Sequence, residues 1–187
     1  IGSNFVAGLE DRGEKCLVVC DRLRDGEKWR NISKRELTDV VFPERLWDFL
    51  ETNASEIRAI YHMGAISSTT ETDCDLILST NLHLSVELWR WCAKNDVPFI
   101  YASSAATYGD GTLGFDDDGT VAALARLRPM NPYGWSKHLF DRMVARWVED
   151  GSPPGEPMLE LHLRKPCIHE GDDGGLSASA AALCAAL

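Results

Sequence analysis

YASSAATYGD (Tyr101–Asp110) and YGWSK (Tyr133–Lys137) are the two runs of sequence that decide the fold. The apolar run VPFIYAS (Val97–Ser103) predicts a buried strand that ends inside the first run. Asn131-Pro132 stands directly before the second run and is a helix-start signal. The two runs therefore predict a strand that delivers polar side chains at its end, and a helix that starts at Asn131 and carries Tyr133.

Three side chains of these runs suggest acid–base chemistry. Tyr133 and Lys137 are four residues apart, so on a helix they project from the same face. A phenol has an ordinary pKa near ~10, and a neighbouring ammonium favours its ionised form. Ser104, from the strand end, could hydrogen-bond the same substrate oxygen. This set can take a proton from an alcohol while a hydride leaves its carbon. The alternative is a solvated surface pair, since Tyr-x-x-x-Lys alone is a weak signal; the flanking strand and helix start favour the chemistry.

Helical and strand-like segments alternate along the rest of the chain. This order predicts an α/β fold, a doubly wound parallel sheet of the Rossmann type. Helices are predicted at Ile1–Arg12, Pro43–Glu51, Asp73–Asn95 and Asn131–Glu149, and strands at Lys15–Cys20, Leu37–Val41, Ile57–Met63, Val97–Ser103 and Met158–Arg164.

The first sixty residues contain half of a dinucleotide-binding fingerprint. Gly2 lies where its last glycine would allow a helix to pack closely on a strand. Asp21 follows a predicted strand 19 residues later, where the fingerprint places the acid that binds the adenosine ribose. Arg22 and Lys28 could neutralise a 2′-phosphate, which favours NADP over NAD. A solvated, highly charged loop is the alternative for these three residues.

Two further polar features leave alternatives open. The hydroxyls of Ser67–Thr70 could face a substrate, or could form a helix N-terminus capped by Thr70 or Thr72 with Glu71 or Asp73 in its first turn. Asn81 lies beside the apolar stripe of the predicted helix Asp73–Asn95 and could support a neighbouring loop or lie on the surface.

Four runs carry a resemblance to a known family: SSAATYG, YGWSKHLFD, HMGAISSTTETD (His62–Asp73) and DRLRDGEKWRN (Asp21–Asn31). Together they resemble the extended short-chain dehydrogenases/reductases, the NAD-dependent epimerases and dehydratases of nucleotide sugars. Most closely they resemble the ADP-L-glycero-D-manno-heptose 6-epimerases. The likeness runs from Ile1 to about Trp147. It implies a first strand and a glycine-rich turn before the position of Ile1, so the chain is expected to be a fragment of a longer fold.

The resemblance implies roles for residues of the two runs and of the half fingerprint. Ser104, Tyr133 and Lys137 match the catalytic positions of the family. The positions that match its cofactor-binding residues are Ile1, Gly2, Asp21, Arg22, Lys28, Met63, Gly64, Ala65, Ile66, Ser67, Asn81, Tyr133 and Lys137. The implied cofactor is NADP, with NAD as the alternative.

The activity that the resemblance implies is epimerisation of ADP-D-glycero-D-manno-heptose at C6″, in the synthesis of lipopolysaccharide inner-core precursors. The implied partners are this nucleotide sugar and, in the full-length protein, further copies of the chain. The family carries a second base on a lysine-bearing loop, which is not recognisable after Arg164. The alternatives are another epimerase or dehydratase of nucleotide sugars, and a non-catalytic dinucleotide-binding fragment. Ala105-Ala106 argues against a dehydratase, which would have an acidic pair there.

Composition excludes several other classes of protein. The net charge is −10 and the pI about 4.9, which argues against a nucleic-acid-binding surface. The six cysteines contain no C-x-x-C pair, and their spacing fits no usual zinc site. Asp116–Asp118 is expected to be a solvated loop, and His62 and His83 are not expected to bind a metal. With neither a membrane-length apolar run nor a signal peptide, we expect a cytoplasmic protein without a metal.

The sequence predicts one dinucleotide-binding domain, residues 1–164, without its first strand and without the part that covers the substrate. Residues 165–187 are predicted to be a divergent or disordered tail. Within it, the alanine-rich segment Leu176–Leu187 is expected to have weak order or to form a short helix. The missing strand is expected to leave an open apolar edge in the sheet.

Overall fold

The structure, a computed structural model, describes residues 1–151 and 181–185. The order of segments agrees closely with the predicted α/β alternation. The helices are α1 (Gly2–Asp11), α2 (Leu46–Thr52), α3 (Cys74–Ile77), α4 (Leu84–Asn95), α5 (Val121–Leu124) and α6 (Pro132–Glu149). The strands are β1 (Leu17–Cys20), β2 (Asp39–Val41), β3 (Ile57–His62), β4 (Phe99–Tyr101) and β5 (Ala181–Ala185).

The described strands form one parallel sheet in the order β2-β1-β5-β3-β4. The chain order reverses at the centre: β1 leads outward to β2 on one side, and β3 leads outward to β4 on the other. A crevice forms beyond the carboxyl ends of the strands at such a reversal. The predicted doubly wound sheet is therefore confirmed.

Side chains alternate between the two faces of the sheet, as the pleat requires. Leu17 and Val19 of β1 pack with Val6 and Leu9 of α1 on one face. On the other face, Val18 and Cys20 belong to a larger cluster built with α2, α4 and α6. All four residues of β1 are buried, which is typical of a parallel strand covered on both faces. Helix layers on both sides thus fix the sheet from which the site projects.

Strand β5 contradicts two of the predictions. The expectation of weak order or a short helix is wrong for Ala181–Ala185, which pair with β1 on one side and β3 on the other. The expected open apolar edge is wrong for the same reason, because β5 fills the gap. Alanine favours helix by intrinsic propensity, but two flanking strands each offer a row of backbone groups that need partners. The predicted strand Met158–Arg164 lies outside the described residues.

The long helix predicted for Asp73–Asn95 is present but not regular. A π-helical segment, Leu78–His83, lies between α3 and α4. π-Helical turns inside α-helices frequently occur at functional sites. The N-cap is Asp73, whose side chain accepts from the Leu76 backbone N–H; the prediction of a threonine cap is wrong. Asp73 satisfies the free N–H of the first turn as well as a threonine would.

Asp116–Asp118 precede a short helix that the sequence did not predict. This helix, α5, is capped by Thr120, whose hydroxyl accepts from the Ala123 backbone N–H. Leu124 of α5 is fully buried, so the helix fastens an otherwise exposed segment to the domain.

Candidate functional site

A cleft of about 320 Å³ lies at the carboxyl edge of the sheet, within the size range of small-molecule sites. The start of α1, the segment after β1, the loop after β3, the end of β4 and the start of α6 all contribute to its wall. The lining residues are Ile1, Gly2, Ser3, Val6, Val19, Asp21, Leu23, Lys28, Asn31, Ile32, Met63, Gly64, Ala65, Ser67, Ala102, Ser103, Tyr133 and Lys137. Tyr133 and Lys137 therefore share one cleft with the acid that follows β1.

The start of α6 is held by its capping residue. The Asn131 side chain accepts from the Gly134 backbone N–H at 2.8 Å, and Pro132 occupies the first helical position. Both features favour helix initiation at this point. The first turn of α6 therefore presents Tyr133, and the second Lys137, from a rigid element.

Gly134 sets how closely α6 approaches the 3₁₀ turn Ala105–Tyr108. A Cβ on Gly134 would lie 2.7 Å from the Ala106 carbonyl oxygen and 3.0 Å from the Ala106 Cβ. The missing side chain thus brings the helix start against the turn that follows Ser104. Sequence reasoning missed this role because the contact joins segments almost thirty residues apart.

We expect Gly134→Ala to destabilise the fold by about 1–3 kcal/mol, because overpacking against backbone forces the helix away. The displacement would carry Tyr133 away from Ser104. Gly8→Ala is the matched control: among the described residues, no heavy atom lies within 4 Å of a Cβ at Gly8, and alanine favours helix by about 1 kcal/mol. Chemical denaturation of the two variants measures the difference. Equal stability of both would contradict the close approach.

Lys137 is almost completely buried, at 3% exposure. Burial lowers the pKa of its ammonium to about 8, and the charge of Asp141 opposes this shift. The ammonium form therefore still predominates at neutral pH. A buried ammonium in this wall stabilises a nearby phenolate more than a solvated one would.

Asn81 connects the π-helical segment, the loop after β3 and the start of α6. Its side-chain oxygen accepts from the Ile66 backbone N–H at 2.8 Å, and its amide donates to the Ile66 carbonyl at 3.1 Å. The same amide donates to the Ser136 hydroxyl at 3.1 Å, and Ser136 donates to the Tyr133 carbonyl. Asn81 is 1% exposed and belongs to the π-helical segment. It therefore holds the loop after β3 and the start of α6 in one arrangement.

His62, the last residue of β3, is fully buried, and its Nε2 lies 3.0 Å from the Ser85 hydroxyl. Burial and, as a smaller cause, the Lys137 charge together lower the pKa of this imidazole to about 3. His62 is therefore neutral at pH 7. The Ser85 hydroxyl in turn donates to the Asn81 carbonyl at 2.6 Å, so His62 supports the same helix segment.

The lowered pKa of His62 predicts an acid-sensitive fold. Between pH 6.5 and about 3 the unfolded chain binds a proton that the folded chain excludes, so stability is full above this window and falls as pH falls. The slope from this group approaches about 1.4 kcal/mol per pH unit. Urea unfolding at several pH values should give a shallower acid slope for His62→Gln. The exposed His83→Gln should keep the wild-type slope, and the same loss of slope in both would contradict the assignment.

The opposite end of the cleft carries a charged pair. Asp21 is 5% exposed, and Lys28 Nζ donates to its Oδ1 at 2.5 Å and to the Arg22 carbonyl at 3.2 Å. The Arg22 guanidinium instead pairs with Glu44, donating to its Oε1 at 3.1 and 2.6 Å. A buried carboxylate with an ammonium beside it can bind ribose hydroxyls and an added phosphate.

A family model described as the NAD dependent epimerase/dehydratase family matches residues 1–157. The chain belongs to this family.

Curated relatives give a finer comparison with the epimerase/dehydratase family. The ADP-L-glycero-D-manno-heptose-6-epimerase of Fusobacterium nucleatum is 46% identical over 143 residues, which are 75% of this chain and 43% of that protein. The enzyme of the same name from Nitratidesulfovibrio vulgaris is 44% identical over 148 residues, 78% of this chain and 45% of that protein. The chain thus spans less than half the length of these relatives.

Solved structures confirm the fold. The structure of ADP-L-glycero-D-manno-heptose-6-epimerase from Helicobacter pylori matches with a TM-score of 0.63 at 23% identity, over 87% of this chain and 50% of that one. The Bordetella bronchiseptica enzyme WbmG, solved with NAD and UDP, matches with a TM-score of 0.60 at 16% identity, over 87% of this chain and 48% of that one.

The predicted site residues of this epimerase/dehydratase chain fall into two groups. The wall of the cleft includes Ile1, Gly2, Asp21, Lys28, Met63, Gly64, Ala65, Ser67, Tyr133 and Lys137. Among the described residues, Arg22, Ile66, Asn81 and Ser104 lie outside that wall. Asn81 and Ile66 support it through their mutual hydrogen bonds, and Ser104 directly follows the wall residue Ser103. The roles of all these residues stay predictions.

Several residues of the site were missed from the sequence. Ser103 is buried and lines the cleft beside Lys137, whereas the prediction singled out only its neighbour Ser104. His62, Ser85, Ser136 and Asp141 are buried polar residues around the cleft. The available signal was weak: each is a polar residue at a position that the apolar periodicity places inside.

The described part of the chain contains neither a metal-binding cluster nor a membrane-spanning helix. Across residues 1–151 and 181–185, no group of three or more His, Cys, Asp or Glu side chains is arranged to hold a metal ion. Within the same ranges, every helix is too short or too polar to cross a membrane.

Proposed function

We propose that this chain carries the cofactor-binding and catalytic part of an ADP-L-glycero-D-manno-heptose 6-epimerase, which inverts C6″ of ADP-D-glycero-D-manno-heptose to supply lipopolysaccharide inner-core precursors. One observation supports this most: Tyr133 and Lys137 line the same cleft as Asp21. The identity of 46% with the Fusobacterium nucleatum relative favours the heptose substrate over other nucleotide sugars.

The residues present fit a nicotinamide dinucleotide. Asp21 lies at one end of the cleft for the adenosine ribose, and Tyr133 and Lys137 lie at the other for the reacting end. The start of α1, with Gly2 and Ser3 in the wall, gives a helix N-terminus that suits a pyrophosphate. A nicotinamide held by this wall would supply the hydride chemistry at C6″.

The side chains of the protein take up and return the proton of the C6″ hydroxyl. Tyr133 as phenolate takes the proton of the C6″ hydroxyl as the C–H bond breaks, which leaves a ketone. Ser104 donates a hydrogen bond to the reacting oxygen, and the Lys137 ammonium stabilises the phenolate. After the ketone turns its other face, Tyr133 gives the proton that it took back to the oxygen. Hydride and proton are both restored, so the substrate undergoes no net oxidation.

The test uses a chimera that joins residues 1–151 of this chain to the rest of the Fusobacterium nucleatum relative. Incubation with ADP-D-glycero-D-manno-heptose, followed by NMR of the sugar, should show the C6″ epimer. UDP-hexoses are the matched alternatives. Turnover of a UDP-hexose with the heptose left unchanged would contradict the substrate assignment and favour a different epimerase or dehydratase.

A second candidate function is dinucleotide binding without catalysis. It is favoured by the position of Ser104, which among the described residues lies outside the cleft wall that contains Asp21, Tyr133 and Lys137. Retention of the cofactor by the 187-residue chain, combined with an inactive chimera, would support it.

We further propose that the cofactor is NADP rather than NAD. Lys28 already neutralises Asp21, and Arg22 lies beside them. These two cations could hold a 2′-phosphate, whereas a ribose with a free 2′-hydroxyl requires neither. In the structure Glu44 engages Arg22, so the arginine must exchange one anion for another when NADP binds.

Glu44→Gln is therefore expected to tighten NADP binding by roughly two- to fivefold, the range of an exposed ion pair, and to leave NAD binding unchanged. Glu27→Gln is the matched control, because Glu27 pairs at 3.0 Å with Arg30, which lies outside the cleft wall. Fluorescence titration with both dinucleotides measures the effect. Equal tightening for NAD and NADP would show that Arg22 does not contact the 2′-phosphate.

A further inference from the structure

Asp141 is a buried carboxylate that the chemistry above does not use. It lies on α6, one turn after Lys137, and is 0% exposed. Its Oδ1 accepts from the Tyr101 hydroxyl at 2.8 Å, and its Oδ2 accepts from the Ser103 hydroxyl at 2.6 Å. Acceptance at both oxygens is the behaviour of an ionised carboxyl group.

The two hydrogen bonds of Asp141 join α6 to the segment at the end of β4. Tyr101 is the last residue of β4, and Ser103 precedes Ser104 directly. Asp141 therefore fastens the segment that carries Ser104 to the helix that carries Tyr133 and Lys137. Charge-assisted hydrogen bonds of this kind are short and about twice as strong as neutral ones, so the link is rigid.

We propose that Asp141 is a positioning residue of the catalytic site: it is the buried counter-ion that keeps Lys137 an ammonium, and it fixes the end of β4 against α6. Its effect on turnover rests on the proposed function, whereas its effect on Lys137 does not.

Among the described residues, Asp141 is the charge that opposes the effect of burial on Lys137. Burial lowers the pKa of Lys137 to about 8, and Asp141 supplies the opposing charge. From β3, His62 faces the ammonium and is neutral at pH 7, because burial lowers its pKa to about 3. Across the cleft Asp21 is paired with Lys28. Without Asp141, the pKa of Lys137 would fall further below its usual value, and less of the lysine would remain as the ammonium that favours the phenolate.

The test follows the titration of Lys137 by NMR in the 187-residue chain, with its Cε resonance assigned by the loss of that signal in Lys137→Arg. Asp141→Asn keeps the shape and removes the charge, so the Lys137 pKa should fall by at least about one unit. Tyr101→Phe is the matched control: it removes a hydrogen bond from the same carboxyl group and keeps the charge, so the Lys137 titration should stay near wild type. An unchanged titration in Asp141→Asn, or an equal shift in Tyr101→Phe, overturns the proposal.

Two further measurements test the role of Asp141. If Asp141→Asn does not fold, the wild-type titration decides: a Lys137 already neutral below pH 7 overturns the counter-ion role, and an ammonium at pH 7 supports it. In the active chimera, Asp141→Asn should move the acid limb of the kcat profile to higher pH, and Glu149→Gln on the exposed part of α6 should not. A chimera inactive even as wild type contradicts the proposed function, whereas the titration still decides the role of Asp141.

Discussion

Tyr133→Phe is expected to lower turnover of the chimera by about 10²–10⁴-fold, the usual contribution of a general acid–base group. The substitution removes one oxygen from the wall of the cleft. The capped helix start and the Gly134 contact that position the ring remain. Affinity for the dinucleotide should stay near wild type, because the remaining wall of the cleft is intact. Steady-state kinetics and cofactor titration measure the two effects separately.

Tyr61→Phe is the control for this experiment. Tyr61 lies on β3 with its ring centroid 4.5 Å from that of Phe5, and it belongs to the core cluster beside α1. Its variant also loses one phenolic oxygen but should keep turnover near wild type. Full activity of Tyr133→Phe would remove the proposed base and leave only cofactor binding to this part of the chain.

Asn81→Leu is expected to destabilise the fold by roughly 3 kcal/mol or more. Leucine has a volume similar to that of asparagine. It leaves the Ile66 N–H, the Ile66 carbonyl and the Ser136 hydroxyl without their present partner. Each buried polar group left unsatisfied costs about 1–3 kcal/mol. Thermal and urea unfolding measure the loss.

Asn95→Leu is the matched control, because Asn95 makes one bond to the Trp91 carbonyl at the end of α4. It should cost far less than Asn81→Leu. Dinucleotide affinity should fall only in Asn81→Leu, because only there does the loop Met63–Ser67 lose its support. Similar losses in both variants would show that Asn81 acts as an ordinary helix residue.

The regular elements and the main pair of side chains could be predicted from the sequence. Strong apolar periodicity located α1, β3, α4 and α6, and the helix-start signal at Asn131 located Tyr133 and Lys137. These features depend on local spacing, which a sequence displays directly. Asp21 could be placed for the same reason, at a fixed distance after a helix glycine.

Other features depend on contacts between distant segments. Asp141 has the spacing of a solvated Lys–Asp pair on a helix, and only the packing of α6 on β4 makes it a buried acceptor. Asn81 could equally have been a surface residue until the π-helical segment turned it inward. Strand β5 has no alternation or β-branched residues that would indicate a strand. Its conformation depends on the two strands that border it.

The central position of β5 has a consequence for how the protein is made. On the ribosome, β1 with β2 and β3 with β4 emerge early as two separate parallel pairs. Nothing on the described part of the chain joins these pairs edge to edge until residues 181–185 emerge and bond to both. Until then the inner edges of β1 and β3 have no strand partner among the described residues, a condition that invites aggregation. A chaperone that shields those edges should raise the yield of folded protein more than one that acts after release.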